Sequence, residues 1–232
     1  MGFLAIMVAL AVAGLVVWYD FWAWKMTGTG GTPPTWKGYW KIRRWGLWLL
    51  LHPQNLHDTS QIPSDGPSYL TTLPRRPGAR PNITRWTLPQ RQQREPITPP
   101  AHESLFSLMQ HFATASPFAP YITSALSKTE GGTGPAIYVN RDVKSINPAA
   151  HKFFYEVAHV HPTENSLHVY CSPRDARKVL EFGWGMRFPA SWLAPPSWIM
   201  VFAPRDEGEV EVVRGIVRAA VCFAVGRDVE NE

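Results

Sequence analysis

Cysteine is scarce in this sequence: 232 residues contain two, Cys171 and Cys222. Two isolated thiols make neither a disulfide framework nor a metal-spacing pattern, so both read as core residues. Also missing are a dinucleotide fingerprint, a Walker loop and a nucleophile elbow, which removes the commonest nucleotide sites and the hydrolase serine. Ser166 and Ser172 lack a supporting triad pattern. Acids are sparse between residues 37 and 94, where Lys37, Lys41, Arg43, Arg44, Arg75, Arg76, Arg80, Arg85, Arg91 and Arg94 meet only Asp58 and Asp65. The net charge of +5 therefore has a local origin, next to an apolar N-terminus. That combination suits an anionic membrane surface, and no nucleic-acid motif accompanies it.

What is present begins with a long apolar run. Phe3 to Tyr19 is apolar or glycine throughout, and Asp20 is followed by Phe21-Trp22-Ala23-Trp24. The run is long enough to cross a bilayer and ends in interfacial aromatics, so residues 1–24 read as a membrane anchor. A cleaved signal peptide fits less well, for want of a basic start and a small-residue cleavage site. Basic residues after the run would leave the body in the cytoplasm, whereas the opposite topology would expose the sequon Asn82-Ile83-Thr84. Residues 25–60 read as a juxtamembrane stretch. In it a flexible Gly/Thr/Pro link (27–35) leads to a tryptophan-rich basic helix over 39–51, suited to lying in the interface. Residues 61–100, rich in proline and arginine, read as an extended arm over a surface.

The globular part, residues 101–232, reads as an α+β domain with an antiparallel sheet. Periodicity predicts a helix over 101–115 and strands over 121–126 and 136–139, joined by a turn at Gly131-Gly132-Thr133-Gly134. As a phosphate loop that turn lacks the following Lys-Ser/Thr. A hairpin over 153–161 and 167–171 follows, then a helix from Pro173 to about Phe182 with Ser172 as N-cap, a strand over 198–203 and an amphipathic helix over 206–225.

That hairpin holds three of the eight histidines, His159, His161 and His168. On a strand, His159 and His161 share a face; Glu156 takes the other face unless a bulge intervenes. His168 returns on the partner strand, opposite His161 in one register and on the far face after a one-residue slip. Three readings stay open: a Zn, Fe or Mn site with Glu156 or Glu164 as fourth ligand, an acid–base pair, or hydrogen-bonded sheet residues. A second candidate is Gly183-Trp184-Gly185-Met186-Arg187-Phe188-Pro189, followed by Trp192 and Trp198. As a rigid aromatic, cationic loop it suits a flat conjugated anion; otherwise it plugs the core.

Several of these stretches, in one order, resemble the fungal luciferase family: Glu156-Val-Ala-His159-Val-His161, Leu167-His168, the Gly183-Trp184-Gly185-x-Arg187-x-Pro189 loop, Pro196-x-Trp198 and Ala203-Pro204-Arg205. The arm adds Leu73-Pro74-x-Arg76-x-Gly78-x-Arg80-Pro81-x-Ile83-Thr84. The resemblance implies an oxidoreductase of internal membranes such as the endoplasmic reticulum. It would add molecular oxygen, with no other cofactor, to a pyrone- or polyketide-type metabolite such as hydroxyhispidin, through a peroxide that loses carbon dioxide. On this chain such chemistry would take His159 or His161 as base with His168 and Glu156 beside them, and Arg187 for the substrate anion. Trp184, Trp198, Phe188 and Tyr170 would line the pocket. Expected partners are this small aromatic substrate and membrane lipid. Phe188 stands where luciferases tend to carry histidine, a departure that bears on substrate and on light. Two rival readings are a metal-dependent or non-oxidative enzyme using His159, His161 and His168, and a non-catalytic binding protein tethered to the membrane.

Overall fold

The computed structural model describes residues 2–86 and 88–229. Helix α1 (Gly2–Thr27) exposes Phe3, Leu4, Ile6, Leu10, Leu15 and Val16 along its shaft, and is long and apolar enough to cross a membrane. Its last turns are different. Phe21 and Trp24 are buried against Tyr39, Ile42 and Leu49 of helix α2 (Trp36–Leu51), with Phe21 stacked on Trp36 at 3.9 Å. Asp20 accepts hydrogen bonds from Tyr39 and Arg43, both at 2.8 Å, and from Arg85 and Trp86 of the arm.

The link between these helices is packed rather than loose, contrary to its glycine-rich composition. Gly31 sits at φ +71°, and a Cβ there would lie 2.4 Å from the Thr129 carbonyl oxygen. Only glycine permits both that conformation and that approach. The glycines thus let the link lie against the turn at 129–131.

The remaining chain forms helix α3 (Pro99–Thr114), strands β1 (Ile122–Ser127) and β2 (Thr133–Val139), a 3-10 turn (Pro148–Phe153), strands β3 (Glu156–Val160) and β4 (Leu167–Tyr170), helix α4 (Pro173–Glu181), strands β5 (Gly185–Arg187) and β6 (Trp198–Val201), and helix α5 (Glu207–Val225). Side chains cap these helices: Ser172, the expected N-cap, accepts from Asp175 N, while Thr98 accepts from Ala101 N and Asp206 from Glu209 N. The six strands form one antiparallel sheet in the order β1-β2-β3-β4-β6-β5, so the fold is α+β. β5 corrects the sequence reading. The stretch expected as a loop is an edge strand that pairs Gly185 with Val201 and Arg187 with Ile199.

One face of the sheet carries Ile137, Ala158, Val160, Leu167, Val169, Ile199 and Val201 into the core beneath α3, α4 and α5. The other face carries the polar residues described next. The Pro/Arg-rich arm wraps the body: buried Asp175 accepts from Ser68 Oγ, Tyr69 N and Leu70 N, and Arg76 donates to the Ala203 carbonyl.

Candidate functional site

Strand alternation places His159 and His161 on the polar face of β3, as the sequence predicts. One correction follows, and one open alternative closes. His168 is opposite His159, not His161, because the four residues 162–165 make the turn and His161 N donates to Ser166 O. Glu156 joins the same face, because β3 carries an extra residue: Tyr138 pairs with Glu156 and Ile137 with Ala158. Val157 and Ala158 both enter the core, and the bulge turns Glu156 back to the histidines. Ser127, Thr129 and Tyr138 hydroxyls and the Lys128 N–H surround its carboxylate.

The three rings converge. His159 Nε2 and His161 Nε2 lie 3.1 Å apart, His161 Nε2 and His168 Nδ1 3.1 Å, and His168 Nδ1 and His159 Nε2 3.4 Å. Each outer nitrogen has its own oxygen partner. His159 Nδ1 is 2.7 Å from Glu156. His161 Nδ1 is 3.0 Å from Glu164 and 2.8 Å from Ser166. His168 Nε2 is 3.2 Å from Gln90. Glu130, which the sequence reading missed, brings Oε1 to 3.5 Å from His159 Nε2 and 3.8 Å from His161 Nε2. Its Oε2 is paired with Arg91, whose Nη1 lies 3.2 Å from His161 Nε2. His159, His161, His168 and Glu130 form the group able to hold a metal ion. Gln90 and Arg91 come from the arm and Glu130 from the β1–β2 turn; only the excess of basic residues in the arm hinted at them.

The electrostatics favour positive charge at the centre. Burial opposes ionisation of Glu130, yet Arg91 and the two nearby histidines hold its carboxyl well below the usual range. Burial likewise works against Glu156, but His159 and the hydroxyl donors pull it down to about 2. Burial disfavours charge on His159, and Glu130 and Glu156 outweigh it, raising its pKa. His161 and His168 are pushed well down by burial, reinforced for His161 by Arg91 and for His168 by its histidine neighbours. Burial raises Glu164 to about 7.

His159, His168, Glu130, Gln90 and Arg91 line a cavity of about 520 Å³. Its apolar walls are Phe153, Phe188, Trp198, Ile42, Trp45 and Leu88, and the glycine link forms another side. Trp198 stacks on Phe153 at 4.3 Å and lies nearly parallel to His168 at 5.7 Å. Phe188 meets His168 edge-on. Tyr170 stands behind Trp198, packed on Phe153 and Phe223.

Two expected site residues lie elsewhere. Arg187 spends its guanidinium on the Asp58 and Asn55 carbonyls and on Gln61, at 2.9, 3.1 and 2.9 Å. Trp184 is buried in the helix-side core and donates Nε1–H to the Pro74 carbonyl. Both tie the arm to the sheet.

The luciferase domain family matches residues 155–220. A luciferase of Armillaria ostoyae is 28% identical over 94% of this chain and 85% of its own length. One from Neonothopanus nambi is 25% identical over 97% and 89%, and one from Armillaria gallica 29% identical over 67% and 62%. No solved structure matches the chain. Along nearly its whole length the chain resembles the fungal luciferases, and residues 155–220 match the luciferase domain.

Proposed function

We propose that this protein is a membrane-anchored, luciferase-like oxygenase acting on a small, flat, conjugated metabolite of the pyrone or polyketide type, such as hydroxyhispidin. The observation that carries the reading is the histidine cluster at the floor of an aromatic cavity, with His159 and His168 open to it. Similarity to named luciferases supports enzymatic rather than scaffold use of that floor.

The chemistry follows from charge and shape. A pyrone carries an acidic enolic hydroxyl, and its anion is electron-rich enough to reduce molecular oxygen. Glu130 and Glu156 favour a cation at the His159 ring, so the floor stabilises an oxyanion beside it. Phe153, Phe188, Trp198 and Trp45 offer faces for a planar ring and keep water from it. The substrate supplies the electrons and oxygen is the oxidant.

The anchor belongs to the same reading. A cleaved leader has no reason to be built into the body, yet Trp24 is fully buried and Asp20 has four partners in α2 and the arm. That packing supports a retained anchor, which would hold the cavity beside the membrane.

Oxygen uptake and photon counting on membranes carrying the protein, supplied with hydroxyhispidin, test the proposal. Uptake in step with substrate loss is the expected result, with light if the product forms excited. Substrate binding without uptake would make this a binding protein instead.

A further inference from the structure

We infer that His159, His161, His168 and Glu130 bind one divalent first-row transition-metal ion, through His159 Nε2, His161 Nε2, His168 Nδ1 and Glu130 Oε1. This deepens the proposed function, on which its meaning for turnover rests, by naming what sits at the cavity floor.

Proton placement decides which ring atoms are free. Glu156, Glu164 and the Gln90 amide oxygen accept from the outer nitrogens, so in neutral rings the N–H lies outward. All three inner nitrogens then present lone pairs to one point, where Glu130 Oε1 adds a fourth acceptor. Arg91 stands beside this group: its Nη2–H goes to Glu130 Oε2 and its Nη1–H reaches the His161 Nε2 lone pair, a contact the guanidinium yields when an ion binds. One cation satisfies all four.

The distances agree. A triangle with sides 3.1, 3.1 and 3.4 Å has its centre about 1.9 Å from each corner, so an ion about 1 Å off the plane meets the usual metal–imidazole length of about 2.1 Å. Edges of a four-coordinate site at that length are about 3.4 Å, near the 3.5 and 3.8 Å that separate Glu130 Oε1 from two of the nitrogens. Every ligand also has an orienting partner: Glu156, Glu164 with Ser166, Gln90 and Arg91. Such outer contacts fix ring orientation and raise ligand basicity in metal centres. Three imidazoles and one carboxylate suit zinc, iron or manganese rather than calcium or magnesium. His159, His168 and Glu130 line the cavity, so the ion's open side faces the substrate space.

The test is metal analysis of the full-length protein, purified in detergent without a histidine tag or chelator. We expect about one ion per chain, removed by chelator and restored by zinc, manganese, iron(II) or cobalt(II), the last with a visible ligand-field band. His161→Ala abolishes retention. Glu164→Gln keeps every ligand and weakens affinity about 10–100-fold, which preserves the test should His161→Ala fail to fold. Folded wild-type protein with below ~0.1 ion per chain and no uptake on titration overturns the site. Stoichiometric metal without oxygen consumption supports the site and counts against the oxygenase reading. Consumption by folded, metal-free protein does the reverse.

Discussion

Glu156 owes its place in the cluster to one extra residue in β3. Strict alternation would send it into the core, and the bulge turns it back. Tyr138 helps to hold it: its single phenol proton lies within reach of Glu156 and the Leu126 carbonyl, at 2.8 and 2.9 Å, and its oxygen accepts from Lys128 N. Burial, then the Glu156 charge, raises the Tyr138 pKa, so it remains a donor at all working pH values. Tyr138→Phe removes one partner from each of three groups and is expected to cost about 1–3 kcal/mol, read from the denaturant midpoint in detergent. An unchanged midpoint would mean that solvent replaces the phenol. Period-two spacing made the shared face of His159 and His161 legible in the sequence, and the hairpin brought His168 near. The bulge was not legible, because no residue type marks it. Nor were Arg91 and Gln90, which stand 70 and 78 positions from the histidines they touch.

Helices and most strands followed from local signals, among them Ser172 as cap before Pro173 and the amphipathic run of residues 206–225. β5 did not, since three residues, the first of them a glycine, carry no strand periodicity and gain their pairing from β6. The link between α1 and α2 shows how composition misleads. Glycine there serves close packing at Thr129 rather than freedom of motion. Gly31→Ala places a methyl against a carbonyl at a positive φ, and is expected to destabilise by about 1–3 kcal/mol while disturbing the Glu130 turn. Thermal melts with ligand-binding assays check this; a neutral substitution would show that the link yields easily.

Taken together, the family-like motifs serve two purposes. Glu156, His159, His161, His168 and Trp198 build the cavity floor and wall. Arg76, Trp184, Arg187 and Arg205 fasten the arm, Arg205 through the Pro77 carbonyl and Glu209. The arm in turn delivers Gln90, Arg91 and Leu88 to the cavity, and α2 with the glycine link closes another side of it. Because α1 is part of the body, the intact mass of protein isolated from membranes is expected to include residues 2–27, and alkaline washing is expected to leave it in the pellet. A mature N-terminus after Thr27 would contradict the anchor.

The most direct measurement compares His159→Ala with Arg187→Ala in oxygen uptake on hydroxyhispidin, each alongside its folding midpoint. The cluster as reaction centre predicts that His159→Ala lowers kcat by about 100-fold or more with the fold kept. Arg187→Ala is then expected to lower stability and to leave kcat/KM of the folded fraction near wild type. The opposite pattern, with Arg187→Ala catalytically dead and His159→Ala active, would move the reaction centre away from the histidine face.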